Sequence, residues 1–201
     1  IEPPLDQFSR TYDRGEPQVV WTRLVADLET PVSAMLKLSA RRKNCFLLES
    51  VEGGAVRGRY SIIGIEPDLV FRANGGKAEI NDSPATGEVF RPLPETTLDA
   101  LRSLIAQSAI EMPASLPPMC AGIFGYLGYD MVRLMEELGP ANPDPLGLPD
   151  AIFMRPTVIV VFDTVKDEIT NVSPVRPKAG TTADTAHARA TDRLIAVLDA
   201  L

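Results

Sequence analysis

Phe46-Leu47-Leu48-Glu49-Ser50 and, after a glycine-marked link, Gly58-Arg59-Tyr60-Ser61-Ile62-Ile63-Gly64 decide how this chain is read. The first five residues read as a buried strand, apolar until it closes on a carboxylate and a hydroxyl. The second run begins polar and turns β-branched, as a strand does when it enters a core from a loop. Gly53-Gly54 supplies the positive φ that a tight reversal between them needs. Pairing the two strands gathers Glu49, Ser50, Arg59, Tyr60 and Ser61 at one end of a sheet.

That grouping has chemical content. A carboxylate can hold a ligand ammonium, an arginine can hold a carboxylate, and the hydroxyls of two serines and a tyrosine can donate and accept beside them. The cluster suits a zwitterion such as an amino acid. It equally suits a plain structural role, with Glu49 and Arg59 as a cross-strand pair and Ser50 satisfying a loop amide.

Outward from this hairpin, the sequence alternates short strands with a few helices. Residues 1–15 are polar and read as a loosely packed lead-in, followed by a strand over 18–28. Thr30-Pro31 is a helix start, a hydroxyl cap with proline in the first turn, and the helix ends on Arg41-Arg42-Lys43. Strands are expected over 68–73 and 77–81, joined at Asn74-Gly75-Gly76, with a short edge strand over 88–91. Thr96 or Thr97 caps a helix lined by Leu98, Leu101, Leu104, Ile105 and Ile110, which the proline run 113–118 ends.

Residues 121–130 carry Gly122, Gly125 and Gly128 among large apolar side chains. They read as a central strand packed closely against a helix, not as a dinucleotide loop, because the glycine spacing and surroundings are wrong for one. Asp130 is expected to cap a helix over 131–138, and the proline-rich stretch 139–150 to be a connection. Strands follow over 151–154, 157–163 and 168–172, then a helix from Thr182 with Ala186, Ala190, Leu194, Val197, Leu198 and Leu201 on one stripe. Strands clustered in hairpins predict an α+β fold, a largely antiparallel β-sandwich with flanking helices. With no clean linker, residues 1–201 read as a single domain.

Composition narrows the function classes. A hydrophobic content of 45% is that of a globular core, and a net charge of −7 disfavours nucleic-acid and anionic-membrane surfaces. No apolar run approaches the roughly 20 residues of a membrane span, and no signal peptide is visible, which points to the cytoplasm. Cys45 and Cys120 read as free buried thiols. The one histidine, His187, sits on an expected exposed helix face, a poor place for a Ser-His-Asp mechanism, and a Cys/His zinc site lacks ligands. The absent initiator Met and a last helix without a cap suggest a piece of a longer chain.

The runs Leu47-Leu48-Glu49-Ser50, Gly58 to Gly64, Gly125-Tyr126-Leu127-Gly128-Tyr129-Asp130 and Pro149-Asp150 resemble the N-terminal region of anthranilate synthase component I, over nearly the whole chain. The resemblance implies a tryptophan-feedback-binding part, not itself catalytic, of an enzyme that converts chorismate and glutamine or ammonia into anthranilate and pyruvate. It implies that Ser50 and Glu49 help bind L-tryptophan, with Arg59, Tyr60 and Ser61 as a second wall. It places the chorismate and Mg²⁺ sites, and a proline segment completing the tryptophan pocket, in a C-terminal domain absent from these residues. A glutamine amidotransferase subunit is the implied partner. The N-terminal region of aminodeoxychorismate synthase component I has the same architecture, and a free-standing amino-acid sensor is a third alternative.

Overall fold

The computed structural model describes residues 1–40, 42–51, 57–117, 119–140 and 142–201. The Gly53-Gly54 reversal lies outside the described residues, as do Arg41 and Pro118. The chain is mixed helix and antiparallel strand, as its pattern predicts, and forms two compact units.

The first unit takes residues 1–66, 110–121 and 156–201. Its first two helices are α1 (Leu5–Tyr12) and α2 (Pro31–Ser39), and its first two strands are β1 (Gln18–Val25) and β2 (Phe46–Val51). The polar lead-in is thus helical. Phe8 and Tyr12, one turn apart, are its buried residues, packed with Val20 and Val175. Thr30 caps α2 as expected, accepting from the Ser33 N–H while the Ser33 hydroxyl accepts from the Thr30 N–H.

Strand β3 (Arg57–Asn74) replaces the two strands expected over 58–64 and 68–73. Between those two ranges there is only a local distortion: Glu66 takes a positive φ of 53° and the strand continues beyond it. Likewise one strand spans both 151–154 and 157–163 and passes through Pro156. Within the first unit its residues 159–163 pair with 168–172, and the strand over 168–175 pairs in turn with β1 from Gln18↔Val175 to Val25↔Glu168. Among the described residues β2 pairs with β3 alone, Phe46↔Gly64 to Glu49↔Ser61, and then shifts register before Val51↔Arg57. It is therefore an edge strand and not the buried one expected, with Leu48 half exposed.

The helices cover one face of this sheet. Ala34 and Leu38 of α2 pack with Ile63, Ile65, Val158, Val160 and Phe162. The last helix, over 183–200, buries Ala186, Ala190, Leu194 and Val197, the predicted stripe, though Leu201 lies beyond its end. His187 is half-buried, not exposed, edge-on to Phe8 at 5.0 Å between centroids, with its Nε2 3.0 Å from the Pro3 carbonyl oxygen.

The second unit takes residues 67–109 and 122–155. β3 turns at Asn74-Gly75-Gly76 into β4 (Lys77–Asn81), with Gly75 at φ 53°, as the hairpin signal predicts. β5 (Arg91–Pro92) pairs with β4, shifted from the edge strand expected over 88–91. α3 (Thr97–Ser108) is capped by Thr96 and buries Leu101 and Leu104 on Phe71, Ala78 and Ile80. Ile105 is half exposed, and Ile110 lies past the helix.

The glycine-spaced stretch yields β6 (Phe124–Leu127), a four-residue strand paired, among the described residues, only with β7 (Ala151–Asp163), and so not a central strand. The element crowding it is β7 and not a helix: a Cβ on Gly125 would stand 1.9 Å from the Ile152 carbonyl oxygen. A 3₁₀ turn over Tyr129–Leu134 follows in place of the expected helix, and Asp130 accepts from Arg133 at 2.5 Å instead of capping it. The remaining elements are β8 (Glu168–Val175) and α4 (Ala183–Ala200), both in the first unit.

Candidate functional site

All five residues singled out by the sequence lie in the first unit, at the polar ends of β2 and β3. Residues paired across a ladder share a face, and neighbours along a strand alternate. Glu49 pairs with Ser61, so both belong to the face that carries Ile63 and Ile65 inward to the helices. Ser61 is buried there and Glu49 is exposed at the edge. Ser50 lies on the other face, directly above Gly58, with Tyr60 next along the same side. The register shift after Glu49 lets the Ser50 side chain settle over that glycine.

Arg59 is held by a residue that the sequence reading did not single out. Its Nε and Nη2 donate to the two carboxylate oxygens of Asp163 at 3.0 and 2.8 Å, a bidentate fork. The Asp163 side chain is 6% exposed and that of Arg59 44%. Asp163 also accepts from the backbone N–H groups of Val165 at 3.1 Å and Lys166 at 3.4 Å. The Arg59 hydrogen bonds hold its carboxyl below the usual carboxylate range, against the burial that opposes ionisation. Asp163 in turn raises the Arg59 guanidinium above its ordinary value. The guanidinium carbon stands 4.8 Å from the centroid of the Tyr60 ring, in cation–π range.

These groups border a hollow of about 220 Å³, lined among others by Arg23, Arg59, Tyr60, Asp163, Lys166 and Glu168. On one side Arg23 lies over the Trp21 ring at 4.8 Å and donates to the Ser115 carbonyl. Glu49, Ser50 and Ser61 are not part of its lining. The arrangement can hold a small polar or charged molecule by hydrogen bonds and charge. It assembles neither a nucleophile with a base nor a metal cage: among the described residues, no three His, Cys, Asp or Glu side chains converge. Cys120 is buried, and that burial pushes its thiol up to about 12. No helix among the described residues is long and apolar enough to cross a membrane.

The antiparallel α+β architecture is shared with a solved enzyme. A crystal structure of anthranilate synthase component I from Streptococcus pneumoniae TIGR4 matches 89% of this chain and 36% of its own, with a TM-score of 0.54 at 24% identity. At that identity the likeness speaks for the fold. No protein-family model matches the chain. Among curated proteins, anthranilate synthase component 1 of Cereibacter sphaeroides is 52% identical over 98% of the chain. Those of Thermus thermophilus and Synechocystis are 42% and 38% identical over 76% and 84% of it. The chain belongs to the anthranilate synthase component I family. It spans 39% of the length of the Cereibacter sphaeroides protein, and 31% and 33% of the other two.

Proposed function

We propose that this chain is the N-terminal part of an anthranilate synthase component I and carries the surface where L-tryptophan binds as feedback inhibitor. The parent enzyme would turn chorismate and ammonia, or glutamine through an amidotransferase subunit, into anthranilate and pyruvate in the cytoplasm. Chorismate and Mg²⁺ would be held by the part of the parent not included in these 201 residues. On this reading the fragment alone has no synthase activity.

The observation that carries the regulatory reading is Ser50. It is exposed at a strand end, on the face of Tyr60, over a glycine that leaves room for nothing else. A hydroxyl so placed can meet a ligand seated against the sheet, with the Tyr60 ring beside it as an aromatic wall. Glu49 belongs to the opposite face of the same strand and would reach the ligand's ammonium only around the exposed strand edge. Arg59 shapes the second wall, and Ser61 supports it from the core side. Bound tryptophan would favour a state of the parent that binds chorismate poorly, a coupling typically worth about 1–3 kcal/mol.

The test uses the full-length parent with its amidotransferase subunit. Anthranilate should form from chorismate, tryptophan should suppress it, and titration calorimetry should register tryptophan binding. Aminodeoxychorismate as the product, or a rate indifferent to tryptophan, overturns the reading.

A further inference from the structure

Asp163 lies 104 positions from Arg59 in the chain and yet fixes it in every way a side chain can be fixed. The fork sets both the position and the plane of the guanidinium, because two parallel N–H···O bonds permit no rotation about either. The next residue, Thr164, takes hold of the backbone as well: its N–H and its Oγ1 both reach the Arg59 carbonyl, at 2.9 and 3.1 Å. Asp163 is itself immobilised by the N–H groups of Val165 and Lys166. The turn between β7 and β8 therefore grips the polar end of β3 by main chain and side chain together.

The consequence passes to Tyr60. The guanidinium carbon lies over the Tyr60 ring, 4.8 Å from its centroid, so the position of Arg59 constrains the aromatic wall on Ser50's side of the sheet. A buried carboxylate paired with a half-exposed guanidinium is a weak stabiliser for the desolvation it entails, and such pairs are better suited to fixing geometry. From this we infer that Asp163 is a positioning residue for the tryptophan surface: it does not touch the ligand but aligns Arg59, and through it Tyr60. The inference rests on the tryptophan-binding reading above.

Calorimetric titration of the full-length protein with tryptophan tests it, using Asp163→Asn and Arg59→Lys. The first removes the anion, and the second keeps the cation but not the fork. Asp68→Asn is the control, because Asp68 forms the same kind of fork with Arg155, at 2.7 and 3.0 Å, in the second unit. Asp163→Asn should weaken tryptophan about tenfold, as expected for losing a charge-assisted alignment, and Arg59→Lys by a smaller factor. Asp68→Asn should bind as the wild type does, whatever it loses in melting temperature. Wild-type affinity in Asp163→Asn overturns the inference, as does an equal loss in Asp68→Asn. If Asp163→Asn does not fold, Arg59→Lys decides: wild-type affinity there also overturns it. A wild-type protein that binds no tryptophan strikes the underlying reading instead.

Discussion

The hydroxyl oxygen of Ser50 lies 2.1 Å from the point where a Cβ on Gly58 would stand, and the Ser50 Cβ and carbonyl oxygen lie 2.3 and 2.4 Å from it. No side chain fits there without moving the Ser50 backbone as well. The glycine is needed for space and not for backbone freedom, since its φ is not positive. Gly58→Ala should therefore push the end of β2 off β3. We expect a loss of about 1–3 kcal/mol in unfolding free energy, the usual range for overpacking, together with weaker tryptophan binding. Denaturant titration and calorimetry on the same samples check both.

Ser50 itself predicts a different outcome. It is exposed but its hydroxyl sits over Gly58, so Ser50→Phe or Ser50→Leu must turn its added bulk outward, away from that glycine and toward any seated ligand. Stability should change within about 0.5 kcal/mol, as for exposed positions generally. Tryptophan should lose its grip: the inhibited rate, divided by the same variant's uninhibited rate, should approach one. A ratio equal to that of the wild-type parent would remove Ser50 from the effector surface.

Much of this arrangement was legible in the sequence, and the failures have physical causes. The cap at Thr30, the turn at Gly75 and the alanine stripe of α4 are local signals, read within one turn or one hairpin. Two strands were expected in place of each of β3 and β7, whereas each runs on through a proline, Pro67 or Pro156, that a ladder seldom admits. α1 was missed because its eight residues are mostly polar and no side-chain cap marks its start, although Phe8 and Tyr12 stand at helical spacing. The division of Glu49 and Ser61 from Ser50 and Tyr60 between two faces depends on register. Asp163 escaped notice for the plainest reason: nothing in its neighbours announces a partner more than a hundred residues away.

In the second unit, Gly125 gives a second steric test. A methyl group there would meet the Ile152 carbonyl oxygen at 1.9 Å and the Phe153 Cα at 2.8 Å, both backbone atoms that cannot rotate aside. Gly125→Ala should part β6 from β7 and destabilise the protein by about 1–3 kcal/mol. Amide hydrogen exchange should rise across 124–127 and 151–154, while the amides of β1 and β8 keep their protection. Unchanged exchange at β6 would contradict the close approach.

The thiols differ in access. Cys120 is fully buried with its thiol pushed up to about 12, whereas Cys45 is half-buried. A thiolate-directed reagent at neutral pH should modify Cys45 and leave Cys120 untouched until denaturant is added. Mass spectrometry of the native protein should find one adduct at most. Rapid double labelling would mean that the segment around Cys120 opens readily.

Acid should act on the Asp163–Arg59 fork with a definite sign. The native Asp163 carboxyl is held below its ordinary range, chiefly by the Arg59 hydrogen bonds. A depressed carboxyl contributes stability that is complete above its unfolded value, about 3.9, and is lost as the pH falls through its native value. Asparagine does not titrate, and the other carboxylates are common to both proteins, so the stability gap between wild type and Asp163→Asn isolates this group. The gap should be level from about pH 8 down to about pH 5 and shrink below about pH 4. Because Arg59 is partly exposed, salt should narrow the gap modestly at neutral pH. Urea unfolding of both proteins at several pH values measures it, and a gap that widens in acid would mean that the Asp163 carboxylate is not stabilised by Arg59 in the native state.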